Sequence, residues 1–284
     1  METKTETVNS GDAAIIRRQL LWTAAVLVLA GLGWGGWWWG QDTGWGNPDR
    51  AVAAKMDRGE KDFIAGRLED AAAQYQRIVD RYPRHPQAPQ AMTQLATALQ
   101  QLGRQQAALA VLQQLSASLE NQPDKADLQA YTMLQIGKVK KDLGDDDGAL
   151  QAYADVRTKH PGTDWSGEAQ SGIGDVLVAQ GKYKEARDAY GVLVKELPGG
   201  FLAAEAQTAI GGCFEQEKNP KAALKAYQLV LDKYPSAVWD TAKARVDALK
   251  KDAEQAKEAA DAKGQAARKA RKARKHEDPD GPSS

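Results

Sequence analysis

Three histidines, one cysteine and a run of three aspartates are the residues in this chain whose types could carry chemistry. A metal-binding helix needs two ligands on one face, about four residues apart. His85 and His160 instead sit beside Pro86 and Pro161 in equivalent linker positions, and His276 stands alone near the end. Both linker histidines are expected to be exposed loop residues. The run Asp145-Asp146-Asp147-Gly148 suggests a calcium loop. An EF-hand loop would need an oxygen ligand at 143 and a glutamate at 154, where Leu143 and Ala154 stand. Carboxylates at that point fit a helix N-terminus, where they accept backbone N–H bonds and suit the dipole. Cys213 has no basic neighbour in the local sequence to lower its pKa, so it reads as a small buried residue. A single cysteine leaves no disulfide within the chain and no multi-cysteine metal site. With no Cys near the start, a lipoprotein anchor is not expected either. Phosphate loops, nucleophile elbows and His-Glu zinc motifs are missing. The expectation is a protein without enzymatic activity, cofactor or metal.

One apparent motif belongs to a different setting. Gly31, Gly33 and Gly36 satisfy G-x-G-x-x-G, but they lie in a stretch without charge from Leu20 to Trp39. No strand precedes them, as a dinucleotide site would require. Twenty helical residues rise about 30 Å, the thickness of a bilayer core. Arg17 and Arg18 precede the stretch, and Trp34, Trp37, Trp38, Trp39 and Trp45 crowd its far end. Indole rings favour the membrane interface and cytoplasmic flanks favour arginine. The pattern predicts a cytoplasmic tail at 1–19, a transmembrane helix at 20–40 and an exported remainder. A cleaved signal peptide is the rival reading, with Val28-Leu29-Ala30 as its cleavage site. Gly31 and Gly35 have the G-x-x-x-G spacing that lets two membrane helices approach closely, which offers a homodimer face.

The exported part repeats itself. Gly66, Gly103, Gly144, Gly181 and Lys218 follow one another at steps of 37, 41, 37 and 37 residues. Five residues after each stands Ala71, Ala108, Ala149, Ala186 or Ala223, and four further on Tyr75, Leu112, Tyr153, Tyr190 or Tyr227. Eight beyond those come Pro83, Glu120, Pro161, Pro198 and Pro235, while Gly59, Ala96, Gly137, Gly174 and Gly211 recur earlier in each unit. An insertion of four residues near 120–125 accounts for the step of 41. Small residues let paired helices approach, a ring fills the gap between units, and proline stops the second helix. A unit of this size cannot bury its own apolar stripe, so stacking must supply the core.

These residues resemble the tetratricopeptide repeat, and Gly181–Pro198 is the cleanest match. The resemblance covers about residues 50–240. It implies an all-α solenoid of about five helix pairs over 49–240, with repeats near 50–85, 86–122, 124–161, 162–198 and 199–235. The Tyr82-Pro83 and Tyr234-Pro235 signatures and the Leu-Pro at 197–198 look like the bacterial-envelope branch, which includes BamD and CpoB. The layout of short tail, one span and exported repeats is similar to the YfgM-like subunits of the Sec translocon. In the family, the first helix of each pair lines the binding groove. Carrying over its fifth, ninth and twelfth positions gives Thr93, Thr97 and Gln100, then Leu134, Lys138 and Lys141, then Ser171, Asp175 and Val178. That lining is mixed and polar and lacks a Lys-and-Asn carboxylate clamp.

Residues 236–275 read as a helix that caps the stack with Trp239, Ala242, Val246 and Leu249 and then carries charge. Arg268, Lys269, Arg271, Lys272, Arg274 and Lys275 put six cations in eight residues, enough for an anionic surface, or else a solvated basic tail. Residues 276–284 read as a disordered tail. Net charge is zero and no aromatic interleaves the basic run, so no specific nucleic acid is expected. The expected function is an interaction scaffold anchored in the inner membrane, its repeats in the periplasm holding envelope proteins. A translocon-associated, chaperone-like factor is one alternative. A tether to anionic envelope polymer or the lipid bilayer through 268–275 is the other.

Overall fold

The computed structural model describes residues 47–235 and 239–277. Among these residues there are eleven α-helices, one 3-10 turn and no strand. The helices are α1 (Pro48–Ile64), α2 (Leu68–Arg81), α3 (Ala88–Gln101), α4 (Gln105–Leu119), α5 (Ala126–Asp142), α6 (Asp146–Lys159), α7 (Asp164–Ala179), α8 (Tyr183–Glu196), α9 (Phe201–Gln216), α10 (Pro220–Lys233) and α11 (Asp240–Glu277). The 3-10 turn, Pro123–Lys125, falls in the four-residue insertion. Two compact units divide between Val111 and Leu112, inside α4.

Each first helix ends in the same way. The N–H of Arg67 bonds Asp62 O and that of Gly66 bonds Phe63 O; the same pair of bonds recurs at Gly103, Gly144, Gly181 and Lys218. The turn requires a left-handed residue, with φ +75° at Gly66 and +71° at Gly181. In the fifth unit Lys218 adopts it at φ +57°, without the freedom of glycine.

Small residues and rings then set the helix spacing. In the first unit Tyr75 is packed against Gly59. In the second, Tyr153 meets Gly137, Tyr190 meets Gly174 and Tyr227 meets Gly211, each so closely that a Cβ on the glycine would lie under 3 Å from the ring. Around these rings lie Leu134, Val156 and Val176 at one level, and Leu193, Ala206 and Cys213 at the next. Cys213 is buried, and burial pushes its thiol pKa up.

The last level is closed by α11. Ala242 and Val246 are buried, and with Leu249 they pack on Tyr227 and Tyr234. Trp239 precedes this helix rather than forming its first turn, and its Nε1 donates to Tyr234 O at 2.8 Å. From Lys250 to Lys269 every side chain is exposed, and the helical backbone continues to Glu277.

Among the described residues no helix is long and apolar enough to cross a membrane. The expected span at 20–40, with Gly31 and Gly35, lies outside the described residues, as does most of the tail at 276–284.

Candidate functional site

The expected histidine environments need correction. The His85 side chain is 10% exposed, and Nε2 lies 2.9 Å from Asp49 Oδ1. Its Nδ1 accepts the Gln87 N–H at 3.1 Å, which leaves the proton on Nε2. His160 Nε2 is buried with no hydrogen-bond partner among the described residues, and burial, aided by Lys159, lowers the pKa of the ring. Both rings therefore pack into the turns between helix pairs. Asp145 caps α6, accepting the Gly148 N–H at 3.0 Å.

Within residues 112–284, successive first helices touch: α5 lies against α7, and α7 against α9. Their shared face is the inner side of this stack. Lys138 on α5 pairs with Glu168 on α7 at 2.9 Å. Asp175 accepts the Tyr190 hydroxyl at 2.6 Å. Burial and that bond hold the Tyr190 phenol well above its ordinary range. Glu205 on α9 has its carboxyl raised by burial and then by the charges of Asp175 and Glu168. Tyr131 and Trp165 meet edge-to-face with centroids 5.1 Å apart, and Trp165 Nε1 donates to Asp127 at 2.6 Å. Burial, then the nearby Glu168, raises the Tyr131 pKa. An aromatic pair thus borders a strip of carboxylates.

A family model described as a tetratricopeptide repeat-like domain matches residues 17–210, and a second, a tetratricopeptide repeat, matches residues 205–237. The chain belongs to the tetratricopeptide repeat-like family. No curated protein matches it. A solved putative kinesin light chain with nearly identical repeats, from Podosopora anserina, is 14% identical, covers 66% of this chain and 96% of its own, and has a TM-score of 0.54. A MamA structure from Desulfovibrio magneticus RS-1 is 16% identical, covers 64% of this chain and 93% of its own, and has a TM-score of 0.49. At such identities the first likeness is one of fold alone.

The groove positions of the tetratricopeptide register differ in what they touch. Thr93 and Thr97, in the unit that ends at Val111, spend their hydroxyls on their own helix, donating to Pro89 O and Thr93 O at 3.1 and 3.0 Å. Gln100 is half-buried on the same helix. Leu134 is fully buried, so it is core and not groove. Lys138 and Asp175 face partners already described, while Lys141 and Ser171 are half-buried. The structure therefore joins Lys138 and Asp175 to one carboxylate strip. It gives no such connection to the threonines.

Sequence reasoning missed Tyr131, Glu168 and Glu205. They stand 37 residues apart at the second repeat position, three before Leu134 and Ser171. That is one helical turn before the fifth position, hence on the same face. Their regular step was the signal. Arg268, Lys269 and Lys272 are exposed on α11; of the six basic residues, Arg271, Arg274 and Lys275 are described by backbone alone.

Proposed function

We propose that the chain is a membrane-anchored adaptor that performs no chemistry of its own. In this reading segment 20–40 holds it in the inner membrane, its N-terminus stays in the cytoplasm, and the repeats hold envelope proteins in the periplasm. The tetratricopeptide fold supports protein binding. The family match begins at residue 17, so it takes in the apolar stretch together with the repeats. The observation that carries the binding role is the Tyr131–Trp165 pair beside Glu168, Asp175 and Glu205. Aromatic side chains at a rim of fixed charge are the usual anchors of a protein interface. The carboxylate strip favours partner segments that bring Lys or Arg.

Site-specific photo-crosslinking from Ser171 in intact membranes tests this, with Trp165→Ala as the comparison. One or two recurrent envelope proteins, lost with Trp165→Ala, support the adaptor. Translocon subunits with a spread of exported chains turn the reading toward a translocon-associated factor. Capture that ignores Trp165→Ala refutes the inner face as the site. Alkaline extraction and protease accessibility of the full chain test the anchor: release by carbonate, or digestion only after the inner membrane is opened, would refute it.

A second reading, the anionic tether, draws on the exposure of Arg268, Lys269 and Lys272 at the end of a helix that packs on nothing described beyond Lys250. Deleting 264–284 would then release the protein from anionic vesicles while its repeats melt unchanged.

A further inference from the structure

Between α4, α5 and α6 lies an open slot of about 370 Å³. In the next repeat the corresponding helices are tied by residues that have no equivalent here. Arg157 on α6 reaches across to α8 and binds Glu196 through both guanidinium nitrogens, at 2.9 and 3.1 Å. One repeat earlier, 41 positions before Arg157, stands Ser116, and 37 positions before Glu196 stands Lys159. Both line the slot, and the clamp that joins α6 to α8 has no counterpart between α4 and α6. One repeat later, Val194 takes the place of Arg157 and packs on the Tyr190 cluster.

A second tie is also missing. Gln170 on α7 donates to Ala189 O at 2.8 Å, and Gln207 on α9 donates to Ala226 O at 3.2 Å, both buried. The same position on α5 is Met133, which cannot donate, and Ala152 opposite it lines the slot. The insertion with its turn at Pro123–Lys125 falls between the helices concerned. The lost clamp and the insertion lie between the second and third repeats, and the lost amide tie lies within the third, so all three border the slot.

We propose that this slot binds an extended, uncharged polypeptide segment with one aliphatic side chain at its centre. The lining has two cations, Lys140 and Lys159, and two carboxylates, Glu120 and Asp155, so it favours neither sign. Lys140 is already near Asp145 at 3.6 Å, and Asp155 accepts from Gln151 at 2.8 Å. Gln113 and Gln129 offer an amide donor and an amide acceptor each, the complement of peptide groups. Met133 and Ile136 give the apolar floor for the side chain. The volume is in the usual range for ligand pockets. This site is separate from the carboxylate strip and does not depend on it.

The test uses the full chain in detergent and arrays of capped heptapeptides, each with central Leu or Met in a Ser/Thr/Asn background, beside matched acidic and basic sets. Ser116→Arg with Lys159→Glu rebuilds the clamp. Gln113→Ala with Gln129→Ala removes both amides, neither of them buried, and leaves the core alone. Binding of the uncharged set, weakened at least tenfold in both double variants at unchanged helicity and melting, supports the slot. Should the clamp variant not fold, the amide variant decides alone. No retention of the uncharged set overturns the proposal. So does equal retention by wild type and variants, or retention of the basic set alone.

Discussion

The ring of Tyr153 is held between two glycines. A Cβ at Gly137 would stand 2.5 Å from its Cε1, and a Cβ at Gly172 2.7 Å from its Cζ. Gly137 belongs to the same repeat and Gly172 to the next, so one side chain sets the spacing both within and between helix pairs. Gly172→Ala must push the ring or part the helices. It is expected to destabilise by about 1–3 kcal/mol, the range for an overpacked core. The denaturation midpoint would fall with an unchanged slope. In a Tyr153→Leu background the added cost of Gly172→Ala should shrink, because leucine has no atoms at the clash. Equal costs in both backgrounds would show that the ring is not what excludes the methyl group.

Lys218 stands where four other repeats have glycine, at φ +57°. An L-residue there brings Cβ close to its carbonyl oxygen, which costs about 1–2 kcal/mol. Part of that is offset in the unfolded chain, where glycine is the more flexible residue. Lys218→Gly is therefore expected to raise stability by about 0.5–1 kcal/mol. Gly181→Ala at the matching turn should lower it. Thermal melts of the two variants check the opposite signs, and a destabilised Lys218→Gly would contradict the assignment.

The repeats were legible because each signature is local. A glycine, an alanine five residues on and a ring four further can be read in a dozen residues, and their phase persists across five units. The inner face was only half legible. Carrying over three groove positions found Lys138 and Asp175 but also took Leu134, which packs in the core with Tyr153 and Val156. It passed over Glu168 and Glu205, one helical turn earlier, because no single repeat advertises them. The slot was not legible at all. It depends on Arg157 meeting Glu196 across 39 residues and on Ser116 and Lys159 failing to do the same. A missing contact leaves no mark in composition or periodicity. The histidines were misjudged for a related reason: a residue before proline looks like loop, yet the turn tucks the His160 ring inward.

That burial makes His160 a source of pH dependence. Its folded pKa lies below the ordinary value of 6.5, chiefly through desolvation, with Lys159 lowering it further and Asp127 opposing. The unfolded chain then takes up a proton near 6.5 that the folded chain refuses. The neutral ring's advantage is complete above about 6.5, shrinks as pH falls through that value, and levels off once the folded ring is protonated too. Tyr82 and Tyr234 occupy the same position before proline in other repeats. His160→Tyr should therefore fold and should flatten the stability-versus-pH curve between about 7 and 5. A slope identical to wild type would place the titrating group elsewhere.

Arg157 and Glu196 are tied by two hydrogen bonds between consecutive second helices. The guanidinium holds the Glu196 carboxyl below its ordinary 4.5, the hydrogen bond being the larger cause and the charge of Arg157 adding to it. With Glu196 47% exposed, solvent screens the pair strongly. A double-mutant cycle with Arg157→Ala and Glu196→Ala should give a coupling of about 0.2–1 kcal/mol at neutral pH, smaller in molar salt. Since the folded pKa is depressed, the coupling is present above about 4.5 and is lost as pH falls through the folded value. A coupling that survives acid would mean packing, not charge, joins the helices. The same pair has a geometric consequence. If the tie is what keeps α6 and α8 together, then Arg157→Ser with Glu196→Lys, which copies Ser116 and Lys159, should loosen this junction. Amide exchange would then quicken in α6 and α8 while α9 and α10 stay protected. Unchanged exchange would show that the Arg157–Glu196 tie is not what holds the junction shut.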